Sequence, residues 1–76
     1  MNRKIIEQKV KQDFIEAKRG EIYRYIIDDV ERIIIERALE LAGGNKILAA
    51  KTLGINRNTI HSKIKKLKIK VNKFKL

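Results

Sequence analysis

The chain contains no cysteine and no proline. Without thiols there is no disulfide framework and no thiolate zinc site, and without proline nothing in the backbone forbids long helices. Tryptophan is absent and aromatic residues make up only 5% of the chain, so any core must be built from aliphatic side chains. No apolar run approaches the roughly 20 residues that cross a bilayer, and the N-terminus MNRKIIEQKVKQDF lacks the apolar stretch of a signal peptide. The expectation is a soluble, cytoplasmic chain with no membrane partner. The single histidine, His61, has no second ligand near it, so no metal is expected. No Ser-His-Asp arrangement and no phosphate-cradling glycine loop is legible, so neither an enzyme nor a cofactor is expected.

Negative charge is missing from the second half. Residues 1–40 hold nine Lys/Arg and nine Asp/Glu, whereas residues 41–76 hold ten Lys/Arg and no acidic side chain. The whole net charge of +10 therefore lies in the last 36 residues. A neutral half joined to a wholly cationic one reads as a scaffold carrying a polyanion-binding surface. At 76 residues a single core supplies only about 3–5 kcal/mol. With disulfides and zinc excluded, association with another copy is the remaining source of stability.

The cationic half centres on Asn45 to Leu67, NKILAAKTLGINRNTIHSKIKKL. Asn45 is a good N-cap, and Ile47, Leu48, Ala50 and Leu53 recur at helical spacing behind it. Gly54 supplies the left-handed conformation that ends this helix. Asn56 follows as a second N-cap for a helix in which Ile60, Ile64 and Leu67 form one inward stripe. At about 100° per residue the opposite face is centred on Asn58, Ser62 and Lys65, flanked by Thr59, His61 and Lys66. Ala49 and Ala50 provide the low bulk that two steeply crossing helices need. The pattern is that of a DNA-binding helix-turn-helix.

Ahead of it, Arg3 to Lys18 reads as a first helix with Ile6, Val10, Phe14 and Ala17 along one stripe, ended by a cationic last turn and a C′ glycine, Gly20. Glu21 to Ala42 reads as a second, antiparallel helix closed by Gly43 and Gly44. Its isoleucines cover more than one stripe, and a helix of about 22 residues, about 33 Å long, that is apolar on two sides should meet a second copy of the chain. Beyond Leu67 the segment KIKVNKFKL alternates lysine with apolar residues and is expected to be a loosely ordered basic extension. Its cations either add phosphate contacts or are solvated. The boundaries are 1–44 for dimerisation helices, 45–67 for the helix-turn-helix and 68–76 for the basic tail.

Over Val30 to Leu67 the chain resembles the Fis-type helix-turn-helix domain of the Fis nucleoid protein and of NtrC-type activators of sigma-54 RNA polymerase. The resemblance rests on VERIIIERAL, the GGN break, the KxxAAxxLGI helix and turn, and NRNTIxxKIKKL. It implies an all-α fold with four helices per chain: two interlocking with the partner's in a dimeric four-helix core, two forming the helix-turn-helix. The DNA-contacting positions it carries over are Asn45, Lys46, Asn56, Arg57, Asn58, Thr59, His61, Ser62, Lys65 and Lys66. Members commonly have Arg or Lys where this chain has Ser62, which removes the guanine contact expected there. No ATPase, receiver or Walker motif is present, and the first helix begins almost at Met1 without the N-terminal arm of Fis. The reading favoured is the DNA-binding piece of an NtrC-type sigma-54-dependent activator, a homodimer on a pseudo-palindromic duplex that would meet sigma-54 polymerase only through domains absent from this chain. The alternative is a complete Fis-like nucleoid protein that binds and bends DNA.

Arg57 is the candidate for bidentate readout of guanine, with a phosphate clamp as the alternative. Asn58 reads adenine or approaches a phosphate, Thr59 bonds a phosphate or starts the helix, and Asn56 caps the helix with or without a phosphate contact. His61 faces the groove or is solvated. Lys46, Lys51, Lys63, Lys65 and Lys66 are expected on phosphates, with Lys51 and Lys63 otherwise solvated. A membrane-surface role would need an apolar face that Asn56-Arg57-Asn58-Thr59 does not provide.

Overall fold

The computed structural model describes residues 2–75. Four α-helices follow in order, α1 (Arg3–Glu16), α2 (Ile22–Leu41), α3 (Lys46–Leu53) and α4 (Arg57–Lys66), then a 3₁₀ turn at Val71–Phe74. No strand occurs among the described residues. The all-α class and the four helices agree with the sequence reading. The chain forms two compact units that divide between Val30 and Glu31.

In the first unit the Asn2 side chain caps α1 by accepting from the Lys4 N–H at 2.9 Å. The α1 helix stops at Glu16, two residues short of the expected Lys18. Ala17 turns extended (φ −80°, ψ 150°) while its N–H still donates to the Asp13 carbonyl. Lys18 to Glu21 then close a turn in which the Glu21 N–H donates to the Lys18 carbonyl at 2.9 Å, and Gly20 takes φ +91° inside it. The glycine therefore serves the reversal rather than a helix cap, and no basic residue lies in the last turn of α1. Two contacts nest about that reversal: Tyr25 Oη donates to Glu16 at 3.4 Å, and Lys9 Nζ donates to Asp29 at 2.6 Å. Such nesting is what an antiparallel hairpin requires.

Lys9 also bonds Asp13 at 2.8 Å. The hydrogen bonds to Asp13 and Asp29 hold its ammonium well above the usual lysine range, and the charge of Glu16 pushes the Tyr25 phenol up. Asp13 is the one buried residue among those described in this unit, although the helical pattern assigns it to the solvent side. Among the described residues of this unit no apolar side chain is buried. Ile5, Phe14, Ile15 and Tyr23 are 68, 58, 78 and 81% exposed.

The second unit contains a closed core. Ile35, Ala38 and Leu39 of α2, Ala49 and Ala50 of α3, Ile60 and Ile64 of α4, and Leu67 and Ile69 beyond it are all buried, with Ala42, Leu53, Ile55, Val71 and Phe74 packed around them. Residues 68–75 are thus packed and not a loose extension. Its alternation serves packing, with Ile69, Val71 and Phe74 turned to the core and Lys73 paired with Glu36 at 3.6 Å. Gly43 and Gly44 make the break after α2 with φ of +59° and +84°, and Gly44 is needed a second time. A Cβ placed there would lie 2.6 Å from Cγ of Lys75.

Candidate nucleic-acid interface

The helix pair α3–α4 is built by local rules that operate as the sequence suggests. The Asn45 side chain accepts from the Leu48 N–H at 3.1 Å, so α3 starts at Lys46. Gly54 takes φ +74° and its N–H closes onto the Ala50 and Lys51 carbonyls. The Asn56 side chain accepts from the Asn58 N–H at 2.7 Å, starting α4 at Arg57. The two helices pack directly on each other across Ala49 and Ala50, which are 0% and 2% exposed.

The α4 helix has two chemically opposite sides. Ile60 and Ile64 are buried, as is Leu67 at its C-cap. Arg57, Asn58, Thr59, His61, Ser62, Lys65 and Lys66 are all exposed. This outer side holds donors, acceptors and cations and no carboxylate. Asn58, Thr59, Ser62, Lys63 and Lys66 line one shallow hollow along it. At the start of α3, Asn45 is exposed and Lys46 half-buried. Both caps, Asn45 and Asn56, use one side-chain oxygen on the backbone and keep the amide nitrogen available.

Two contacts set the rotation of α4 about its own axis. Lys63 Nζ pairs with Glu31 at 2.6 Å, both partly buried, and Arg32 Nη1 donates to the Leu67 carbonyl at 2.6 Å. Lys63 is therefore not a simply solvated cation; its ammonium is paired with Glu31 of α2. Sequence reading missed Glu31 and Arg32 because neither sits at helical spacing from its partner. Among the described residues no cluster of His, Cys, Asp or Glu could hold a metal ion, and no helix is long and apolar enough to cross a membrane.

Two short helices joined by a left-handed glycine, the second capped by asparagine and presenting a polar, acid-free face, define a helix-turn-helix domain. The family model described as "Bacterial regulatory protein, Fis family" matches residues 26–67, more than half of the chain, and the chain belongs to that family. Among its relatives, the DNA-binding transcriptional regulator NtrC of Azospirillum brasilense is 39% identical over 70 residues, covering 87% of this chain and 15% of the relative. A putative Fis-like DNA-binding protein of Ralstonia nicotianae is 42% identical over 43 residues, covering 57% of this chain and 56% of the relative. The DNA-binding protein Fis of Mannheimia haemolytica is 35% identical over 46 residues, covering 60% and 47%. The chain thus spans a small part of the NtrC relative and about half of the Fis relatives. No solved structure gives a significant match.

Proposed function

We propose that this chain is the DNA-binding domain of a bacterial transcription regulator of the NtrC type, acting as a homodimer on a pseudo-palindromic duplex in the cytoplasm. The observation that carries the reading is the outer side of α4, which offers only hydrogen-bonding groups and cations while its apolar side is spent on the core. An α-helix fits the major groove, and bidentate Arg to guanine is the commonest specific contact. Arg57 takes that role, Asn58 reads or approaches the neighbouring base, and Thr59, His61 and Ser62 line the groove behind them. Asn45, Lys46, Asn56, Lys65 and Lys66 meet phosphates, which set register and orientation.

Two further observations support the finer reading. The first unit buries no apolar residue while exposing Ile5, Phe14, Ile15 and Tyr23, and fully burying each such side chain is worth roughly 1.5–3 kcal/mol. A second copy docked on those helices supplies that burial. The likeness to the NtrC relative runs over 70 residues, against 46 for the Fis relative, so it takes in the N-terminal helices that a common helix-turn-helix alone would not. This favours the activator over the Fis-like alternative. Contact with sigma-54 polymerase would then belong to other domains of such an activator.

Selection from a random duplex pool tests the proposal. The enriched sites should be pseudo-palindromes with half-site centres about one helical turn, roughly 10 bp, apart, bound by a species of dimeric mass in light scattering. Affinity should fall with salt at a log–log slope of about −0.9 per neutralised phosphate. Failure to enrich any sequence, with an affinity flat in salt, overturns it.

A further inference from the structure

The segment after α4 is the one cationic stretch that the helix-turn-helix does not use, and its fold sorts its residues. Ile69, Val71 and Phe74 go to the core and Lys73 to Glu36, while Lys68, Lys70 and Lys75 are exposed and form no ion pair with a described residue. Lys75 does not trail into solvent. Its backbone N and Cα sit 3.2 and 3.3 Å from where a Gly44 Cβ would be, so the missing side chain of Gly44 makes the room it occupies. That places Lys75 beside Lys46 on one open hollow, lined by Gly43, Gly44, Asn45, Lys46, Ile47 and Lys75. No acidic side chain occurs anywhere in residues 41–76, and none lines this hollow.

We propose that this hollow is a second polyanion-contact site, in which Lys75 and Lys46 together grip a backbone phosphate of the same duplex, outside the base pairs read by α4. The proposal rests on the duplex-binding reading above and extends its footprint. Two ammonium groups that meet one phosphate contribute affinity without sequence preference, and the packing of the Lys75 backbone against Gly44 fixes where its side chain starts before binding, which reduces the ordering cost of contact.

The test uses the full chain and a selected duplex, with anisotropy titrations over a range of salt. Lys75→Gln should weaken binding three- to tenfold on specific and random duplex alike and make the log–log salt slope shallower by about 0.9 per protomer. Lys73→Gln, which alters a lysine already paired with Glu36, should change the slope much less. Ethylation of phosphates flanking the half-sites should block the unmodified chain and should no longer discriminate against Lys75→Gln. Should Lys75→Gln bind with unchanged affinity and slope while Arg57→Ala still loses specificity, the second contact is wrong and the duplex reading stands. If the unmodified chain binds no duplex at all, both fall together.

Discussion

The two compact units are made from similar aliphatic side chains and end in opposite conditions. Residues 31–75 bury nine apolar residues in one cluster, with Leu39 and Ile60 fully inside. Residues 2–30 bury a single aspartate and leave Ile5, Ile6, Phe14, Ile15 and Ile27 exposed, with Ile22 and Ile26 only half-buried. Helical propensity and ion pairs can shape a hairpin, but an isolated helix pair without a buried face is marginal in water. The comparison teaches that the helix-turn-helix half carries its own apolar core while the N-terminal hairpin does not, which is the reason a second copy is proposed to cover that hairpin.

The largest effect expected is in the closed core. Leu39→Ala, at a fully buried position, should cost about 2–5 kcal/mol in urea unfolding, whereas Ile15→Ala, at 78% exposure, should barely change the unfolding of a monomeric chain. If both cost the same in dilute monomer, the contrast between the units is mistaken. Ile15→Glu should instead halve the mass in light scattering and, by removing simultaneous engagement of two half-sites, lower duplex affinity about a hundredfold. A dimer that survives this change would move the interface elsewhere.

Arg57→Ala should remove about 1–3 kcal/mol of discrimination between specific and scrambled duplex, while Lys65→Ala should weaken both equally. Equal losses from the two changes would make Arg57 a phosphate contact. Asn45→Ala and Asn56→Ala each remove a cap bonded to its helix and should lower the second unit's stability by about 1 kcal/mol, with no matching change at the N-terminal hairpin.

The smallest effect is in pH. Lys9 and Tyr25 both hold their protons more tightly when folded, so their contribution is complete at neutral pH and is lost as pH climbs through and beyond the ordinary lysine value of 10.5. A modest fall in the hairpin's helicity above that point, reduced by Lys9→Met, is the expected outcome in circular dichroism.

What the sequence made legible were features governed by neighbours within one turn: the Asn45 and Asn56 caps, the Gly54 exit and the inward Ile60, Ile64 and Leu67. Those rules act through fixed backbone geometry and need no knowledge of distant residues. The departures share the opposite property. Asp13 is buried and pairs with Lys9, which also bonds Asp29 of α2, and Lys63 turns to Glu31 across 32 positions of chain. The tail's alternation of lysine and apolar residues signalled one buried side, but not the presence of Gly44 as the place for Lys75 to lie. The end of α1 was misplaced by two residues because a glycine with positive φ serves a reversal as well as it serves a cap.

Arg32's hold on the Leu67 carbonyl carries a kinetic consequence. A charge-assisted bond of this kind is worth about 1.5–3 kcal/mol, and with the Glu31 pair it stops α4 from rolling on its bed. On the proposed reading, arrival at a groove would require no refolding of α4, and the speed of capture would be set by long-range attraction between ten cations and a polyanion rather than by any search for shape.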